Sequence, residues 1–234
     1  GMTAALRLLP QPITQGYSRL LARSKYPGVP VMDVGWPMLA QLISARLSLT
    51  AQRYVLAQSA TTAEVAEYLA AAQVYLALLG VITAAGVALW PSFTRRRAAG
   101  TLANGPFRLS GQMALGCAGV LAMIWLLRVP LFEFTTSGQV LVRDATALAF
   151  SLMVVLQAAL YPLGMFIMDK PGIRFQVVPT VTMAVGSLVL AMVVTPRLGV
   201  IGPVLSNAVC VLLAQLVPFS IYIHRNRTRL WQAG

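Results

Sequence analysis

Six long apolar runs occupy the chain between Trp36 and Ile223, and they constrain its fold more than any other feature. A helix needs about 20 mainly apolar residues to cross some 30 Å of hydrocarbon. Runs that qualify extend approximately over Trp36–Ala57, Val65–Phe93, Leu109–Val129, Ala145–Met168, Phe175–Thr195 and Ile201–Ile223. The first is interrupted by Arg46 and Arg53; the other five are near-continuous. None alternates apolar and polar residues with period two, which argues against a membrane β-barrel. The expected fold is an all-α integral membrane bundle of six transmembrane helices over residues 36–223. Residues 1–35 precede it and a basic tail, 224–234, follows.

The connections between the runs alternate in charge. Residues 1–35, the stretch around Arg95–Arg97 and Arg108, the Lys170–Arg174 turn and the tail together hold thirteen basic residues. The three intervening connections hold two, Arg143 and Arg197. Lys and Arg are retained on the cytoplasmic side of a membrane. Both termini are therefore expected there, which requires an even number of spans. Residues 1–35 are punctuated by Pro10, Pro12, Pro27 and Pro30 and lack the apolar core of a signal peptide. They read as a cytoplasmic connection, either a flexible linker or a short amphipathic helix over Ala4–Leu21 lying on the leaflet.

Composition narrows the function. With 58% apolar and 10% charged residues, the chain has too little charge to cover the surface of a soluble enzyme. The net charge of +12 lies between apolar runs rather than on a basic face with interleaved aromatics, so nucleic acid is not an expected partner. Cys117 and Cys210 sit inside apolar runs and read as small buried hydrophobes. No metal site is expected, because His, Cys, Asp and Glu do not cluster at ligand spacing. Two-carboxylate acid–base chemistry has no candidate pair, His224 stands alone in the basic tail, and no cofactor is implied. The chain does not read as an enzyme. Glu64 and Glu67 fit the first turn of the second helix with Thr61 or Thr62 as its cap, and Asp144 fits a helix start beside Arg143.

The informative residues are cationic and amide groups inside the runs. Arg46 and Arg53 are two helical turns apart and share a face, flanked by Gln41 and Gln52. An arginine at the bilayer centre costs on the order of 2.5–3.5 kcal/mol and seldom faces lipid. Arg46 therefore either lines a wet cavity that binds an anion, most naturally a phosphate, or pairs internally with backbone carbonyls. Arg53 can do the first or snorkel outward, and snorkelling accounts for Arg128. Gln73, Gln112, Gln157 and Asn207 either line such a cavity or bond between helices. The candidate binding set is Arg46, Arg53, Gln41, Gln73 and Gln157, with no catalytic residue and no metal ligand.

Three segments carry a family resemblance. They are Ala88-Leu89-Trp90-Pro91-Ser92 with Arg95-Arg96-Arg97 and Gly100; the turn Pro196-Arg197-Leu198-Gly199-Val200-Ile201-Gly202-Pro203; and Gln52-Arg53-Tyr54-Val55-Leu56-Ala57. Over about Met32 to Ile223 the chain resembles the polysaccharide flippases of the multidrug, oligosaccharidyl-lipid and polysaccharide exporter superfamily. The resemblance implies the second, C-terminal six-helix lobe of a two-lobe transporter in the inner (plasma) membrane. It implies membrane lipids and a lipid-linked sugar pyrophosphate as partners, flipped as the lobes rock, with Arg46 and Arg53 on the pyrophosphate. One lobe cannot enclose a two-lobe pathway, so a missing N-terminal lobe or a second copy is a further implied partner. A drug or cation antiporter of the same superfamily is the first alternative, and it calls for membrane-buried acids. A non-transporting scaffold of an envelope-synthesis complex is the second, and it leaves Arg46 without a purpose.

Overall fold

The computed structural model describes residues 32–101 and 105–232, and among these every regular element is helical. The Ala4–Leu21 segment lies outside the described residues. The chain divides into a short unit, Gly1–Trp36, and a main unit, Pro37–Gly234. The helices are α1 (Met32–Ser59), α2 (Thr62–Val87), α3 (Leu89–Ala98), α4 (Pro106–Leu126), α5 (Arg128–Thr136), α6 (Asp144–Phe166), α7 (Lys170–Leu198), α8 (Ile201–Cys210), α9 (Val217–Arg225) and α10 (Arg227–Gln232). A π-helical segment, Val211–Leu216, joins α8 to α9.

Among the described residues five stretches are long and apolar enough to cross a membrane: Thr62–Ala98, Pro106–Leu126, Asp144–Phe166, Lys170–Leu198 and Ile201–Arg225. The described fold is thus all-α and of membrane type. The first of the six expected spans differs from the rest. Its residues form the 28-residue helix α1, but Gln41, Arg46, Gln52 and Arg53 hold it below the apolar character of the other five.

Three prolines lie where long runs change, while Pro37, Pro162, Pro179 and Pro196 sit inside continuous helices. Pro91 has no N–H, and its ring would strike the carbonyl four residues back, at Val87. α2 ends at Val87, the chain turns at Ala88, and α3 begins at Leu89. Pro130 acts in the same way on Leu126, where α4 gives way to α5, so part of the expected connection after Val129 is helical. Pro218 cannot bond to the Ala214 carbonyl, and the wider π turns lie immediately before it.

α6 is the central helix. Half of its apolar window is buried, against 11% for α4, which leaves α4 at the periphery. One core cluster joins α2, α4, α6 and α8 around Tyr75, Phe150 and Val154, with Tyr75 stacked on Phe150 at 5.4 Å. A second, towards the basic end, gathers Phe93, Leu163, Phe166, Phe219, Ile223 and Leu230. Here the edge of Phe93 meets Phe166 at 5.3 Å and Trp231 of α10 packs on Phe166 at 5.0 Å. The α7–α8 hairpin turns at Gly199, whose φ of +55° with ψ of −130° is a backbone state that side chains resist.

Candidate functional site

Of the expected binding residues, Gln41 and Arg53 lie on α1, Gln73 on α2 and Gln157 on α6. Gln41 donates its amide to the Ile173 carbonyl of α7 at 3.2 Å and is half-buried. The Arg46 side chain lies outside the described residues. Arg53 is exposed on α1 and within electrostatic reach of the buried Tyr68 on α2. Gln73 is exposed midway along α2, and Gln157 is half-buried on α6. Neither Gln73 nor Gln157 makes a hydrogen bond among the described residues. Among the described residues, no contact gathers Gln41, Arg53, Gln73 and Gln157 into one pocket.

α1 and α7 share a polar seam. Besides Gln41, the buried Ser48 hydroxyl meets that of Ser187 at 2.8 Å, and Gln52, buried one turn on, donates to Ser48 at 3.4 Å. Each amide or hydroxyl that leaves water here finds a partner on its own or the facing helix, which is what burial in a low-dielectric interior demands. Gln41 and Ser48 bond across to α7, and Gln52 supports Ser48 from within α1. Deeper in, the Gln215 amide of the π segment donates to the Thr180 hydroxyl of α7 at 3.1 Å. Gln176 of α7 donates to the carbonyls of Gly164 and Ile167 at the end of α6.

At the opposite end from Arg95–Arg97, Glu64, Glu67 and Asp144 are engaged. Thr61 and Glu64 form a full capping box at the start of α2. Glu67 does more than sit in a first turn. It is buried and accepts from the Arg143 backbone N–H (2.9 Å), Arg143 Nε (2.9 Å) and the Thr146 hydroxyl (2.6 Å), tying α2 to the start of α6. The simple alternation of charge in the sequence does not disclose this, because the two residues are 76 positions apart. Arg128 bridges Asp144 at 2.6 Å, and its guanidinium lies 4.9 Å from the Trp125 ring, so it is paired rather than only snorkelling. A cleft of about 690 Å³ opens here, lined by Arg128, Glu133, Arg143 and Asp144 among apolar groups. Both of its arginines already have a carboxylate.

The basic end is built differently. Arg95 Nε donates to the Pro91 carbonyl, and Arg97 donates to the Phe166 carbonyl at 2.9 Å while lying over the Phe166 ring. Asp169 takes an ion pair from Arg229 at 3.3 Å. Between α3 and α4 lies a second cleft, of about 440 Å³, to which Arg96 and Arg108 contribute. Among the described residues no group of three His, Cys, Asp or Glu could hold a metal ion. No known protein-family model, curated protein or solved structure matches the chain.

Proposed function

We propose that the chain is one lobe of a two-lobe flippase that moves lipid-linked oligosaccharide or polysaccharide precursors across the inner (plasma) membrane by alternating access. In this reading α1 is the first of six spans, both ends are cytoplasmic, and the second lobe comes from a longer chain or from another copy. The observation that carries the reading is the exposure of Gln73. It lies midway along α2, on an exposed stripe that continues through Ala77, Gly80 and Ala84. An unpartnered amide facing hydrocarbon is costly, and small residues along the same stripe permit another helix to approach closely. A facing lobe would remove that cost and enclose water against the stripe. Arg53, exposed on a helix too polar to lie wholly in lipid, fits the rim of the same cavity.

In such a cavity a guanidinium at position 46 or 53 recognises a pyrophosphate by paired, charge-assisted hydrogen bonds. The sugar occupies the water and the lipid tail stays in the bilayer. The test is translocation of a lipid-linked sugar pyrophosphate between leaflets, measured per folded transporter in membranes that carry the complete assembly. Arg46→Ala abolishes flipping while folded protein persists, and Arg46→Lys keeps part of the activity because it keeps the charge but loses the fork. Full per-molecule activity in Arg46→Ala refutes the phosphate role; absence of flipping by the unaltered protein refutes the function.

A further inference from the structure

The cleft between α3 and α4 has the make-up of an anion site, and it involves neither Arg46 nor Arg53. Its polar lining is Arg96, Arg108, Ser92 and Gln112, and its apolar lining includes Phe93 and Leu109. In the Arg95-Arg96-Arg97 run the outer two guanidinia are tied to backbone carbonyls, whereas the Arg96 guanidinium makes no hydrogen bond or ion pair with any described residue. Arg108 is likewise without a partner among the described residues. No Asp or Glu occurs in the sequence between Glu67 and Glu133, and the acid at this end, Asp169, is paired with Arg229. This contrasts with the larger cleft at the other end, where both arginines are paired.

The backbone adds to the same field. α4 starts beside the cleft at Gly105, which supplies no side-chain cap, and Pro106 follows. The first free N–H groups of a 21-residue helix, with the positive end of its dipole, are thus at the cleft margin. Gly105 is held in place from outside: a Cβ there would come within 2.8 Å of the Trp231 indole, so the C-terminal helix α10 packs directly against this margin.

We propose that this cleft binds a phosphate group at the membrane surface, either the headgroup of an anionic phospholipid or a free phosphate. Two guanidinia supply paired donors of the geometry that phosphate oxygens accept, and Ser92 and Gln112 supply neutral donors. The cleft lies where the Thr62–Ala98 and Pro106–Leu126 spans come together at their basic ends, the depth at which phospholipid headgroups sit. Its apolar side, Phe93 and Leu109, suits the first carbons of an acyl chain.

The test uses the whole chain in phosphatidylcholine nanodiscs doped with phosphatidylglycerol, with retained lipid counted by native mass spectrometry. Arg96→Gln with Arg108→Gln lowers phosphatidylglycerol retention relative to phosphatidylcholine by about tenfold or more, since two charge-assisted contacts are lost. Arg225→Gln, which removes an equally exposed charge outside the cleft, changes it less than about twofold. Both cleft arginines are exposed and unpartnered among the described residues, so the double variant keeps the thermal stability of the parent. Inorganic phosphate is the second probe. Displacement of the lipid by phosphate at comparable concentration makes the free ion the ligand; resistance to displacement makes it the lipid. Equal retention in the double variant and the Arg225→Gln control overturns the proposal.

Discussion

Removing the Glu67 carboxylate is the most direct way to test whether α2 and α6 are joined as described. Three donors converge on it, and they do not lose equally when it goes. Thr146 is fully buried, so in Glu67→Ala its hydroxyl is left without its acceptor at a cost of about 1–3 kcal/mol. The Arg143 N–H, at the cap position of α6, adds about 0.5–1.5 kcal/mol. The Arg143 guanidinium, whose side chain is 53% exposed, returns to water and contributes only about 0–1 kcal/mol. Loss of the buried carboxyethyl packing adds about 1 kcal/mol. The expected destabilisation is roughly 3–5 kcal/mol, most of it from the hydroxyl and the backbone rather than from the ion pair. Thermal unfolding in detergent can be followed by a thiol-reactive fluorophore, because Cys117 and Cys210 are free and become reactive as the bundle opens. A double-mutant cycle then separates the partners. Coupling between Glu67→Ala and Thr146→Val exceeds coupling between Glu67→Ala and Arg143→Gln, since only the alanine removes the acceptor that Thr146 uses. A Glu67→Ala variant within about 1 kcal/mol of the parent, or a larger coupling to Arg143, would refute the reasoning.

Two further outcomes are expected. Gly199→Ala in the α7–α8 turn forces a side chain into a backbone state that costs about 1–3 kcal/mol, read as a lower unfolding temperature, whereas Gly111→Ala, on open helix surface, leaves that temperature unchanged or raises it slightly. In a background with Cys117→Ala and Cys210→Ala, single cysteines at Arg96 and Arg227 label from the cytoplasm and those at Thr62 and Ser137 from outside; an external Arg96 position refutes the six-span topology.

Several features of this protein were legible from its residues alone. Long apolar runs without period two require helices in lipid, because only segments that satisfy their own backbone hydrogen bonds cross hydrocarbon unaided. The Thr61–Glu64 cap was legible for the same reason: both partners lie within one turn, so local spacing specifies the contact. Pro91 and Pro130 lie where helices break, but Pro162, Pro179 and Pro196 sit inside α6 and α7, so a proline alone does not mark a break. The rest depended on which helices meet. α6 becomes the centre and α4 the periphery although both are apolar runs of similar length, since hydropathy reports avoidance of water and does not distinguish lipid from protein as its replacement. Gln41 and Gln73 look alike in sequence, yet one is bonded to α7 and the other faces outward. Glu67 finds Arg143, and Arg128 finds Asp144, only through the packing of α2, α4 and α6. Arg95, Arg96 and Arg97 are three identical letters in a row. A helix turns them about 100° apart, so two reach carbonyls on their own or a neighbouring helix and the third is left at the cleft.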